Sequence, residues 1–162
     1  MGGNINLKHS FEADHYVNFD LDYLYYHDDN PTDYLNKYYS PTDVFLYEEQ
    51  IAAKKITPIN IWVGKLDYVK RLSEKVKMET GVKATLSRFT NDVGVFDLVS
   101  DVWVPRLELT QEYELLEDVA MAYASFNIDF KNDFNMIAGL RYEYTVSNLS
   151  TEEDKDIVDR KY

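Results

Sequence analysis

Apolar and polar side chains alternate with a period of two along much of this chain, most clearly in Ala138-Gly139-Leu140-Arg141-Tyr142-Glu143-Tyr144-Thr145. Successive side chains of a strand point to opposite faces, so Ala138, Leu140, Tyr142 and Tyr144 share one face and Gly139, Arg141, Glu143 and Thr145 the other. The same template predicts about six strands: Asn4 to Phe11, Val17 to Tyr26, Ile59 to Val69, Lys75 to Phe89, Ala120 to Phe130 and Phe134 to Val146. In the second, Val17, Phe19, Leu21, Tyr23 and Tyr25 oppose Asn18, Asp20 and Asp22. In the fourth, Val76, Met78, Val82, Ala84 and Leu86 oppose Lys75, Lys77, Glu79, Lys83 and Ser87.

The connections alternate in length. Short ones fall at Glu12 to Tyr16, Lys70 to Glu74 and the Lys131-Asn132-Asp133 turn, which groups the strands into hairpins at about 4–26, 59–89 and 119–146. Between the hairpins lie long loops, about 27–57 and 91–118. Loops of that length are uncommon in compact domains, whereas short turns at one end and long loops at the other characterise outer-membrane barrels. Within the first long loop, Ser40-Pro41-Thr42-Asp43 fits a helix start leading into Val44 to Lys55, and an extended segment fits equally well. Ser147 to Asp156 is acidic and turn-rich and is expected as solvated loop.

Alternation alone fits two environments. In a soluble sheet the apolar face meets a core and the charged face meets water; in a membrane barrel the apolar face meets lipid and the charged face lines a wet lumen. The 14 Tyr and 8 Phe residues favour strands and membrane interfaces. A net charge of −12 disfavours a nucleic-acid surface, and the absence of cysteine removes disulfides, thiolate metal sites and thiol nucleophiles. No run of about 18 apolar residues suggests a spanning helix, and the N-terminus lacks signal-peptide character, neither of which excludes a barrel.

Taken in order, Asn4-Ile5-Asn6-Leu7-Lys8-His9 with Phe19-Asp20-Leu21-Asp22-Tyr23, Pro58-Ile59-Asn60-Ile61-Trp62 with Lys65-Leu66-Asp67-Tyr68, and Ala122-Tyr123-Ala124-Ser125-Phe126 with the stretch from Ala138 to Thr145 resemble the outer-membrane β-barrel region of TonB-dependent receptors of Bacteroidetes-type bacteria. The resemblance implies a fragment of a 22-stranded plugged transporter barrel in the outer membrane of a Gram-negative bacterium, taking up an unidentified ligand. Plug domain, energy-coupling box and closing strand are missing from the pattern, so residues 1–162 are expected as a partial barrel that does not transport by itself. The implied partners are the lipid bilayer, the rest of the barrel with its plug, and a TonB-type energy-coupling protein acting through the missing region. A soluble β-sandwich or lipocalin-like binding module is the alternative.

Within that frame Tyr23, Tyr25, Tyr68, Phe126, Tyr142 and Tyr144 are expected as a lipid-facing belt, and Lys65, Asp67, Glu79, Lys83, Arg141 and Glu143 as lumen wall. Tyr34, Tyr38, Tyr39 and Tyr47 are candidate ligand-contacting loop aromatics, weighed against simple loop packing. Loop carboxylates such as Asp28, Asp29, Glu48 and Glu49 match no calcium-loop spacing, and His9, His15 and His27 match no metal-ligand spacing. There is no GxSxG, no Gly-rich phosphate loop and no paired-carboxylate spacing, so neither enzyme activity nor a cofactor or metal is expected.

Overall fold

A computed structural model describes residues 1–130, 134–151 and 153–162. The chain is one antiparallel sheet. Its strands are β1 (Gly2–Glu12), β2 (His15–Tyr39), β3 (Phe45–Ser73), β4 (Val76–Val99), β5 (Val102–Pro105), β6 (Gln111–Asp129), β7 (Asn135–Thr151) and β8 (Val158–Lys161), with a 3-10 turn at Leu107–Leu109. The order across the sheet is β1-β2-β3-β4-β6-β7-β8, a meander, with β5 folded back on β4. Among the described residues the sheet does not close on itself. The expected all-β meander is therefore present, with the six anticipated strands joined by two short ones.

The segments expected as long loops are the largest departure. β2 and β3 stay paired from His15↔Lys70 out to Tyr39↔Phe45, so most of 27–57 is strand rather than loop, and the helix considered for Val44 to Lys55 is absent. β4 and β6 likewise pair as far as Val93↔Gln111, which turns much of 91–118 into strand. β7 runs on to Thr151, past the expected start of a solvated loop at Ser147. Polar residues in these extensions, such as Asp28 to Asp33 and Asp92, broke the apolar alternation that identified the inner parts. Backbone pairing does not require that alternation, because each ladder bond is made by N–H and C=O groups whatever the side chain.

Turn chemistry sets the hairpin ends. Asp14, Asp43, Ser100 and Asp101 adopt positive φ, which aspartate tolerates better than most residues because its short side chain bonds locally. At the Ser40 to Val44 turn the Ser40 hydroxyl accepts from the Thr42 and Val44 N–H groups, 3.2 and 3.1 Å away. The Lys131-Asn132-Asp133 turn lies outside the described residues.

No second layer covers the sheet among the described residues, and the soluble alternative fails on that point. A β-sandwich or lipocalin buries its apolar face, yet here Leu140 is 85% exposed, whereas Asp67 on the opposite face is 6% exposed. The polarity of the two faces is inverted relative to a water-soluble domain.

Candidate functional site: the two faces of the sheet

Register carries each face across all the long strands. Leu7, Phe19, Leu66, Val82, Ala122 and Tyr142 form one continuous row, and Ile5, Leu21, Gly64, Ala84, Ala120 and Tyr144 form the next. One step further from the short turns comes a row with Tyr23, Trp62, Leu86, Asp118 and Val146, and then Tyr25, Asn60, Arg88, Leu116 and Asn148. Towards the turns the face passes through Tyr68 and Leu140, then Lys70, Met78 and Phe126, and ends in Val76, Ile128 and Met136. From Val76 to Leu86 on β4 the apolar rows cover roughly 33 Å of strand at 3.3 Å per residue. A barrel tilt of about 40° reduces this to a band near 25 Å, the height of the apolar belt of an outer-membrane barrel.

Aromatic and amphipathic side chains mark both limits of the band. At the far limit the Tyr23 and Trp62 rings lie 4.4 Å apart, and the Tyr23 hydroxyl donates to Asn60 Oδ1 at 3.0 Å. At the turn limit His15 Nε2 is 3.1 Å from the Tyr68 hydroxyl, and Phe11 packs between His9 and His15 at 4.6 Å from each. Tyr23, Tyr25, Tyr68, Phe126, Tyr142 and Tyr144 all lie on this apolar face, with Tyr142 and Tyr144 inside the band rather than at its edges.

The opposite face is sheltered and polar. Lys65 stands opposite Lys83, Asp67 opposite Gly81, and Tyr123 bridges Gly81 on one side and Arg141 on the other. Two cations facing each other repel, and Lys65 is neutralised by Asp67 at 2.6 Å. Asp67 also accepts a hydrogen bond from the Tyr123 hydroxyl, which lies 3.5 Å from Glu79 as well. Arg141 pairs with Glu143 along its own strand. Nearer β1 the amides take over: Asn4 donates to Asp22 at 2.6 Å, and Asn6 donates to Asp20 and Asn18. Lys65, Asp67, Glu79, Lys83, Arg141 and Glu143 thus line one wall. Tyr123 joins them, an aromatic at a polar parity position whose role depends on Gly81 having no side chain.

Such inversion, with an apolar belt near 25 Å tall outside and a charged wall inside, belongs to a protein whose outer solvent is lipid. Residues 9–162 match the outer membrane protein beta-barrel family. The chain belongs to that family. The protein is accordingly an outer-membrane protein of a Gram-negative bacterium. No curated protein and no solved structure matches it.

Beyond the far limit this barrel-family chain carries its extended hairpins well past the band, roughly 46 Å of strand from Tyr25 to Tyr39 at 3.3 Å per residue. Their inner face holds a compact polar cluster. Arg106, just past β5, donates to Asp97 on β4 at 2.6 Å and to Glu49 on β3 at 2.9 Å. Glu49 also accepts from the Tyr38 hydroxyl at 3.0 Å, and that hydrogen bond to a carboxylate holds the phenol above its ordinary pKa. Tyr38 stacks on Tyr47 with centroids 4.4 Å apart, and Tyr34 shares their face four residues back along β2. Tyr39 lies beyond a register shift and packs on Phe45 instead, at 5.8 Å. Tyr38 and Tyr47 therefore sit at one ion cluster, Tyr34 shares only their face, and Tyr39 stands apart. Arg106 and Asp97 carried no signal in the sequence, because their partners are assembled by β-pairing between distant segments. Among the described residues no group of three or more His, Asp or Glu side chains is arranged to hold a metal ion.

Proposed function

We propose that the chain is a wall segment of a TonB-dependent receptor that takes up a ligand through a wide, plugged barrel, with transport rather than catalysis as its role. The observation that carries this reading is the pair of open edges. β1 is exposed along its whole length, and among the described residues β7 is paired on its outer side from Thr145 to Leu149, along β8 and Tyr162. The stretch of β7 around Met136 to Tyr144 therefore has a free edge at the depth of the apolar band. In hydrocarbon every backbone N–H and C=O needs a partner, so further strands complete the wall. Barrel diameter grows with strand number, and a barrel of about 22 strands encloses a lumen large enough for a plug.

In this reading Tyr23, Tyr25, Tyr68, Phe126, Tyr142 and Tyr144 contact lipid. Lys65, Asp67, Glu79, Lys83, Arg141 and Glu143 face the lumen and the plug, and Tyr34, Tyr38 and Tyr47 stand above the mouth where a ligand arrives. The lipid bilayer, the rest of the barrel with its plug and an energy-coupling protein of the TonB type are the partners. The reading is tested by capture of the intact protein from detergent extracts on an immobilised TonB periplasmic domain. Capture that is competed by a soluble peptide of the coupling segment supports it; no capture from a folded, heat-modifiable sample overturns it.

A further inference from the structure

At the far limit of the band the two faces exchange character. The outer face turns polar there, with Asn60, Arg88 and Asn148, and the Arg88 side chain is 60% exposed. One residue along each strand, the inner face carries Tyr26, Ile59, Phe89, Leu115 and Leu149 side by side on five strands. Leu24, Ile61 and Val63 extend this row towards the turns on β2 and β3. Lys65, Asp67 and Glu79 lie deeper on the same face, so the inner wall has a charged zone below and an apolar strip at the mouth. At its β2 end the strip is open among the described residues, with Leu24 and Tyr26 50% and 53% exposed.

We infer that this strip binds the incoming ligand and that the ligand is a basic peptide with an apolar face. The inference rests on the receptor reading and names the substrate class taken at that mouth. A contiguous apolar patch rimmed by polar side chains marks a contact surface. Length suits an extended chain: Tyr26 to Leu149 spans four strand spacings, roughly 19 Å, the reach of about six residues at 3.3 Å each. From Tyr26 the same face of β2 continues outward through Tyr34 to Tyr38, which is stacked on Tyr47. An incoming peptide therefore meets aromatic rings before it reaches the strip. The plug of the receptor reading belongs deeper, on the charged zone, roughly 20 Å along β3 from Ile59 to Lys65 at 3.3 Å per residue.

Charge at the border selects the sign of the ligand. Asp22, Asp28 and Glu117 flank the strip on the inner face, against Lys55 two rows further out on β3. Beyond that, Arg106 is already held by Glu49 and Asp97. The border is net acidic, which draws basic side chains and repels an anionic ligand. A neutral glycan would set hydroxyl groups against Ile59, Phe89, Leu115 and Leu149, whose side chains offer no hydrogen bonds in return.

The test is fluorescence anisotropy of the intact protein in nonionic detergent with short labelled peptides of alternating Lys-Leu, Glu-Leu and Lys-Ser, and with labelled maltoheptaose. Saturable binding of the Lys-Leu peptide is expected, about tenfold tighter than that of the other probes. Phe89→Ala/Leu115→Ala is expected to weaken it about tenfold, and Glu117→Gln about two- to fivefold with a shallower salt dependence. No saturable binding, equal or tighter binding of any other probe, or no loss in the Phe89→Ala/Leu115→Ala variant would overturn the ligand class. A plug segment sealing the strip would give the first of these results. Heat-modifiable mobility on gels checks folding, and Tyr26→Ala, at an exposed position, replaces the double variant if that fails to fold. TonB capture of a protein that binds no Lys-Leu peptide would overturn the ligand class and leave the receptor reading standing. Peptide binding without TonB capture would leave the site standing and count against the receptor reading.

Discussion

A single methyl group placed on Gly81 tests how the polar wall is built. The Cβ of Gly81→Ala would lie 2.6 Å from Asp67 Oδ1, 2.8 Å from Tyr123 Cε1 and 2.8 Å from the Leu66 carbonyl oxygen. Tyr123 reaches Asp67, two strands away, only by lying across the bare Gly81 backbone, so the methyl displaces the ring and breaks the hydroxyl-to-carboxylate bond. Loss of a hydrogen bond to a charged group costs about 1.5–3 kcal/mol. The backbone contact with Leu66 adds overpacking of about 1 kcal/mol or more, for a total near 3–4 kcal/mol. Tyr123→Phe removes the hydroxyl alone and costs about 1.5–3 kcal/mol, since Asp67 keeps Lys65 at 2.6 Å. Once the hydroxyl is gone, Gly81→Ala loses only the packing part, so the two changes couple by about 1.5–3 kcal/mol, the shared hydrogen bond, in a double-mutant cycle. Urea unfolding of the intact protein in vesicles, followed by tryptophan fluorescence and gel mobility, measures all four species. Additivity within about 0.5 kcal/mol would refute the crossing of Tyr123 over Gly81.

Val82 and Leu35 are almost equally exposed, 53% and 54%, but only Val82 lies in the apolar band. Val82→Arg is expected to destabilise the vesicle-embedded protein by about 2–4 kcal/mol and Leu35→Arg by less than about 0.5 kcal/mol; equal costs would remove the membrane from the explanation. Arg106→Gln should free the segment Val102 to Leu109 from Glu49 and Asp97, raising its amide exchange while global unfolding shifts by no more than about 1 kcal/mol. A segment that stays protected would show that β5 pairing alone holds it. Asp14 at the β1–β2 turn is held below its ordinary value of 3.8 by a hydrogen bond from Arg71 and by that guanidinium's charge. Its folded-state pKa is depressed, so its contribution is complete above the unfolded value and is lost as pH falls through the folded one. Exchange at the turn should therefore rise on acidification below about pH 4 in the wild type but stay flat in Asp14→Asn.

The sequence by itself determined the local rules of this protein. Period-two alternation placed the inner portions of six strands and sorted Tyr142 from Glu143 and Leu66 from Asp67, because side-chain direction in a strand is a property of the backbone pleat. It could not follow β2 past Tyr26 or β3 before Ile59. There the strands leave the apolar band, and with it the pressure for alternation, while their backbone pairing continues. Nor did alternation decide which face is covered, since the same pattern serves a core or a bilayer. Only the tertiary structure settled that, by showing a single open layer whose leucines and tyrosines are exposed while Asp67 is buried. The Tyr123–Gly81–Asp67 crossing and the Arg106 cluster belong to the same level. Each joins residues from strands far apart in the chain, and strand register, a long-range property, brings them within reach.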